Sequence, residues 1–172
     1  EVLDLNVEDP PIEDVIERFA PQVTTLALNV NRSQDEYGTF RLPLVPDSLT
    51  GFAGPLAGLA AGMRYFEEAC HANASDWVAT APCDSPFLPL DFVATLIQAA
   101  NEQKIAVAAT ASGAQPVFAI YRIALLASLQ SFLATGKRKI DVWTAQHNAV
   151  PVNFAQENAF ANINTVAELR LY

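Results

Sequence analysis

The stretch "DWVATAPCD", residues 76–84, is apolar almost throughout and closes on a carboxylate at Asp84. A strand covered by helices on both faces has no polar side to present, so it leaves a continuous apolar run rather than an alternation. These residues therefore read as a buried parallel strand, the third of the chain, with Asp84 at its carboxyl end. Behind it, "SPFLP" carries Pro86 and Pro89, which stiffen the turn. In open α/β sheets ligands bind outside the carboxyl ends of the strands, so Asp84 is the first residue to weigh for chemistry.

Working outward, strand and helix patterns alternate. "PIEDVIERFA" places Ile12, Val15, Ile16 and Phe19 at helical spacing, and "VTTLALNV" is a short β run that ends at Asn29 to Arg32. "RLPLVPDS" reads as a second, proline-interrupted strand, and "GFAGPLAG" as a glycine loop opening a helix that runs to about Ala72. After the third strand, "PLDFVATLIQAANEQ" predicts a helix with Pro89 in its first turn, where a missing N–H costs little. "KIAVAATA" and "PVFAIYR" are two β runs joined by a hairpin loop "SGAQ". "IALLASLQSFLATG" predicts a helix ending at Gly136, "RKIDVWTAQH" a short helix, "AVPVNF" a strand and "TVAELRL" a closing helix capped by Thr165. The order predicts an α/β three-layer sandwich on a mostly parallel sheet, with an antiparallel excursion in the second half.

The 172 residues suit one domain, and 51% hydrophobic with 17% charged residues is a globular composition. No apolar run reaches the length of a membrane span. A formal charge of -9 argues against a nucleic-acid or anionic-membrane surface, so an anionic ligand would be held locally by backbone N–H groups, a metal ion or placed arginines. Two cysteines, Cys70 and Cys83, have neither metal nor disulfide spacing, and no hydrophobic leader is visible, which points to a reducing cytoplasm.

Three strand ends carry polar groups: Asn29, Asn31 and Arg32; Asp47 and Ser48; Asp84 and Ser85. Asn and Asp also form turns, which accounts for any one of these positions alone. A carboxylate on a rigid strand end is equally what Mg²⁺ requires, since the ion takes one or two protein oxygens and fills its shell with water and phosphate oxygens. Gly51, Gly54 and Gly58 would let backbone N–H groups approach an anion at a helix N-terminus, although a tight turn packed on a helix explains the same glycines. "TGKRKID" is the one concentrated basic stretch, either a solvated face or a contact for an anionic partner. His71 and His147 lack clustered ligands and read as surface or satisfied residues, Cys83 reads as packing, and no G-x-S-x-G nucleophile elbow is present.

In this order "GPLAGLAAGM", "TAPCDSPFLP", "AQPVFAIYR" and "FANINTVAEL" resemble the molybdenum cofactor guanylyltransferases, the MobA-like branch of the nucleotidyltransferases with a Rossmann-like, glycosyltransferase-A-like fold. The resemblance runs from about residue 12 to the end. It implies transfer of GMP from GTP to molybdopterin, forming the guanine dinucleotide cofactor and pyrophosphate. It implies Asp84 as catalytic Mg²⁺ ligand; Asn29, Asp47, Gly54, Pro55, Leu56 and Gly58, with Asp84, at GTP; and Arg138, Lys139, Asn162 and Asn164 on the pterin side, Asn164 also near the reaction centre. GTP and molybdopterin are the implied partners, with other cofactor-biosynthesis proteins and molybdoenzyme chaperones beside them, and no nucleic acid or membrane.

Family members begin with a strand and a glycine-rich L-A-G-G loop, then an R-M-G element and a lysine. Residues 1–172 hold none of these and open on "EVLDLNVEDPPIED", with Glu8 and Asp9 where positive charge would serve a triphosphate. The expectation is one nucleotidyltransferase-like domain over residues 1–172 without its N-terminal strand and phosphate loop. A related cytidylyltransferase, and a non-catalytic nucleotide-binding or partner-binding module, are the alternatives.

Overall fold

The computed structural model describes residues 12–32, 34–48 and 54–163. Gly51, Asn164, Thr165 and the expected closing helix lie outside the described residues, as does the opening segment. In chain order the elements are α1 (Ile12–Phe19), β1 (Leu28–Asn29), α2 (Gln34–Tyr37), β2 (Leu44–Val45), α3 (Pro55–Ala69), β3 (Trp77–Thr80) and α4 (Phe92–Ala100). They continue with β4 (Ile105–Thr110), β5 (Gly113–Arg122), α5 (Leu126–Ala134), α6 (Ile140–Gln146) and β6 (Val150–Asn153).

Four strands form one sheet in the order β3-β5-β4-β6, and β1 and β2 form a separate parallel pair. β4 pairs in parallel with β6, and β5 runs antiparallel to both β3 and β4. β3, β4 and β6 thus share a direction and β5 is the expected excursion. Its reversal is forced by the connection, because the two residues Ala111 and Ser112 can close a hairpin but not a crossover. The expected loop "SGAQ" is shorter than its sequence suggests: Gly113, Ala114 and Gln115 pair with Thr110, Ala109 and Ala108. The register then slips between Val107 and Ala108, so residues 116–118 stand opposite no partner. Pro116, which has no N–H for a ladder, lies in this bulge.

β4 explains the layers. All six of its residues are buried, and residues 105–108 divide by parity between two cores. Ile105 and Val107, with Ala119 and Tyr121 of β5, pack against Leu56 and Met63 of α3, Leu129 of α5 and Trp143 of α6. Ala106 and Ala108, with Phe118 and Ile120, pack against Phe92 and Leu96 of α4 and Phe19 of α1. Helices therefore cover both faces, as the apolar runs require. On the α4 side the rings of Phe118 and Phe160 meet edge to face at 4.9 Å, and Phe154 lies 5.2 Å from Phe160. Such pairs hold the chain after β6 against the sheet.

α4 begins at Phe92, so Pro89 stands before the helix rather than in its first turn, and its carbonyl accepts from the Phe92 N–H at 3.2 Å. Asp91 makes no side-chain cap. The cap comes from Gln22, whose Oε1 accepts the Val93 N–H at 2.9 Å while its Nε2 donates to the carbonyls of Arg18 and Pro89, each at 2.8 Å. One amide thereby ties the end of α1 to the start of α4 and satisfies a helix-terminal donor that would otherwise lack a partner. Gln22→Ala should destabilise the protein by about 2 kcal/mol, the loss of a half-buried group with three bonds. Urea unfolding followed by circular dichroism measures this, and an unchanged midpoint would remove Gln22 from that role.

Candidate active site

β3 ends at Thr80, four residues before Asp84, so the carboxylate expected on a strand terminus sits instead in the turn beyond it. Pro82 accounts for the early stop, since it offers no ladder donor. Thr80 closes the strand by donating its hydroxyl to the Val117 carbonyl at 2.9 Å.

The turn is held from the far end of the described chain. The Ile163 N–H donates to the Asp84 carbonyl at 2.7 Å, and the fully buried Ser85 hydroxyl donates to Asn162 Oδ1 at 3.1 Å. The Asp84 carboxylate is half-buried, and its Oδ1 is shut off from solvent with no hydrogen-bond partner among the described residues. A buried carboxylate oxygen without a donor is costly unless a proton, a cation or a ligand meets it. A divalent cation fits that oxygen, because Mg²⁺ accepts one or two protein carboxylates when phosphates complete its shell. Among the described residues no group of three His, Cys, Asp or Glu side chains forms a protein-only metal cage.

The second group is built at the ends of β1 and β2. Asn29 Nδ2 donates to the Val45 carbonyl at 2.9 Å and to Asp47 Oδ1 at 2.8 Å, and the Asp47 N–H donates to Asn31 Oδ1 at 2.7 Å. Parallel pairing of β1 with β2 brings these strand ends together. Gly58 of α3 lies against Asn29: a Cβ there would come within 2.4 Å of Asn29 Oδ1. Gly54 precedes Pro55, the first residue of α3, and its φ of 72° is one that glycine adopts without strain. Leu56 is fully buried, so its side chain belongs to the core and only its backbone could serve a ligand.

Arg138 and Lys139 are exposed and precede α6. The Arg138 guanidinium donates to the carbonyls of Leu133 at 2.8 Å and Lys137 at 2.7 Å. The basic stretch therefore also closes the C-terminus of α5, where positive charge suits the helix dipole. The Arg138 carbonyl lies 3.9 Å from where a Gly54 Cβ would stand, which sets this stretch beside the loop before α3.

A cleft of about 760 Å³ separates the two sheets. Residues 23–27 and Asn29 form one wall, residues 76–83 the other, with Gly58 and Gly62 of α3 and Val93 and Ile97 of α4 also lining it. Asn29, Pro55 and Gly58 thus share a cavity with the strand that leads to Asp84. Cys83 is exposed on this wall rather than packed, yet the surrounding protein raises its thiol pKa, and the neighbouring Asp84 charge adds to the rise. His147 is a satisfied histidine: its Nε2 pairs with the Ser128 hydroxyl at 2.8 Å, and burial, then Lys104, lower its pKa.

Sequence reading placed Ser85 beside Asp84 but gave it no role, and it passed over Glu157. Glu157 Oε1 accepts from the Ser112 N–H at 3.0 Å and the Thr110 hydroxyl at 3.4 Å. Its pKa is lowered chiefly by the hydrogen bond from the Ser112 side chain. These contacts pin the segment that delivers Asn162 to the β4–β5 turn. Their partners are 45 or more positions away, so no local motif marks them.

A mixed α/β sandwich with a glycine-opened helix and an unpartnered carboxylate oxygen beyond a sheet edge is a setting that suits a phosphate-bearing ligand and its cation. The MobA-like NTP transferase domain family matches residues 3–150, and the chain belongs to it. The molybdenum cofactor guanylyltransferase of Cupriavidus taiwanensis is 44% identical over 162 residues, covering 90% of this chain and 78% of that protein. The crystal structure of molybdopterin-guanine dinucleotide biosynthesis protein A from Archaeoglobus fulgidus matches with a TM-score of 0.70 at 24% identity, over 93% of this chain and 82% of the other. A 4-diphosphocytidyl-2C-methyl-D-erythritol synthase from Anaerococcus prevotii matches with a TM-score of 0.72 at 12% identity, over 93% and 85%. The last two bear on the fold alone.

Gly58→Ala tests the Asn29 group. The added methyl has to displace an amide already fixed by Val45 and Asp47, so GTP affinity measured by calorimetry should fall at least about tenfold, the scale of one displaced hydrogen-bonding group, while helix content stays unchanged. Undiminished affinity would show that Asn29 does not shape the nucleotide site.

Proposed function

We propose that this chain transfers GMP from GTP to the terminal phosphate of molybdopterin, forming the guanine dinucleotide form of the molybdenum cofactor. The supporting observation is the buried, unpartnered Oδ1 of Asp84 in a turn beyond a cleft that Asn29, Pro55 and Gly58 also line. A phosphate oxygen of molybdopterin attacks the α-phosphorus of GTP, the α–β phosphoanhydride bond breaks, and pyrophosphate leaves with the electron pair. No protein nucleophile takes part, so positioning and electrostatics supply the rate.

Asp84 would hold Mg²⁺ through Oδ1, and the bound ion would neutralise charge on the phosphates. Asp47 has one oxygen tied to Asn29, while Oδ2 has no hydrogen-bond partner among the described residues. A carboxylate only accepts hydrogen bonds, and guanine presents N1–H and N2–H donors where cytosine presents acceptors. Asp47 therefore selects guanine, and the N–H groups at the start of α3 face the phosphates in this reading.

The reading also assigns the chain to the cytoplasm, consistent with two free, exposed cysteines. No helix among the described residues is long and apolar enough to cross a membrane.

With GTP, Mg²⁺ and molybdopterin, dinucleotide should form, and Asp84→Ala should lower the rate by at least about a hundredfold, as loss of a group stabilising transition-state charge does, with the circular dichroism spectrum retained. Full activity of that variant with Mg²⁺ would contradict the metal role. GTP should also bind more tightly than CTP, and Asp47→Ala should erase the difference; equal binding of the two by the parent protein would contradict guanine selection.

A further inference from the structure

The Asn162 carboxamide has two ends, and only one has a hydrogen-bond partner among the described residues. Its oxygen accepts from Ser85 at 3.1 Å, while the residue itself is exposed and the two N–H donors of its nitrogen have no partner among those residues. Ser85 is fully buried, and a hydroxyl in that position requires a partner. The backbone on either side is already fixed. Ile163 is anchored in the interior and donates to the Asp84 carbonyl at 2.7 Å, and Phe160 is buried among Phe118 and Phe154. Glu157 holds the same segment to the β4–β5 turn. What these contacts leave undetermined is the rotation of one exposed amide, and Ser85 determines it.

We propose that Ser85 is a positioning residue that sets the Asn162 amide with its N–H donors outward beside Asp84, where they hold a phosphate oxygen of the acceptor substrate. The proposal rests on the guanylyl-transfer reading for its substrate, but the orientation rests on the hydrogen bonds alone. The carboxylate and the amide reach one place because residues 84 and 85 bond to residues 163 and 162. A donor prepositioned in this way needs no reorganisation when the acceptor phosphate arrives. Without the Ser85 hydroxyl the amide turns over freely and presents its oxygen, which repels the phosphate, as often as its nitrogen.

Two readouts test this. In heteronuclear NMR the Asn162 side-chain NH₂ pair, identified by its absence from Asn162→Asp, should shift to the position of a free solvated asparagine in Ser85→Ala. In steady-state assays Ser85→Ala should lower kcat/KM for molybdopterin at least about twofold, since about half of the molecules then present the amide nitrogen, and leave KM for GTP unchanged. Asn162→Asp, at an exposed position, keeps an acceptor for Ser85, removes the outward donors and adds a negative charge that repels the phosphate, so it should lose at least as much. Adding Ser85→Ala to it should lose nothing further, the non-additivity expected of groups acting through one another. An NH₂ pair unmoved by Ser85→Ala, or losses that add in the double variant, would overturn the proposal. If the parent chain forms no dinucleotide, the guanylyl-transfer reading fails by itself, and the resonance shift still decides whether Ser85 orients Asn162.

Discussion

The double burial of β4 is the constraint on which the rest of the molecule depends. Each of its six residues is enclosed, and from 105 to 108 odd and even positions face different helical layers. A strand in that position takes a polar residue only where it is hydrogen-bonded, as Thr110 is at its end, so the rest is apolar, and alanines keep the helices close. β5 reverses beside it through a two-residue turn, β6 returns parallel to it, and β3 joins through β5. The places where polar residues can gather are then the strand ends and the cleft beyond β3.

The site follows from how those ends are tied. Pro82 stops β3 early and frees residues 82–85 to turn, and the C-terminal segment captures that turn through Ile163 and Asn162. On the other wall Asn29 is shared between Val45 and Asp47, and Gly58 leaves the space that this requires. The two groups use a related device: a short polar residue is held by a hydrogen bond from another element, and one of its side-chain atoms is left without a partner among the described residues. At Asp84 it is Oδ1, at Asp47 it is Oδ2 and at Asn162 it is the amide nitrogen.

The layered α/β plan was legible in the sequence because burial on two faces leaves apolar runs, and amphipathic spacing marks helices such as α1. The glycines before α3, the carboxylate at 84 and the ordered resemblance pointed to the site. Local rules failed where partners are distant. Pro89 reads as a helix start by its chemistry, yet Gln22, far back in the chain, caps α4 two residues beyond Asp91. Arg138 and Lys139 read as a basic helix start, whereas Arg138 closes the preceding helix. Cys83 reads as a core residue from its neighbours but faces the cleft, since the strand has ended before it.

By itself the sequence determined which segments are strands and helices, that two layers cover the sheet, and which polar residues stand near strand ends, because these depend on periodicity and on the conformations that proline and glycine allow. Only the tertiary structure decided which of those residues meet. Ser85 and Asn162, or Asn29 and Gly58, are neighbours through packing over long chain separations, and such contacts leave no periodic trace. It also decided which atom of each side chain remains free, because a hydrogen bond engages one end of a carboxylate or an amide and the sequence records only the whole residue.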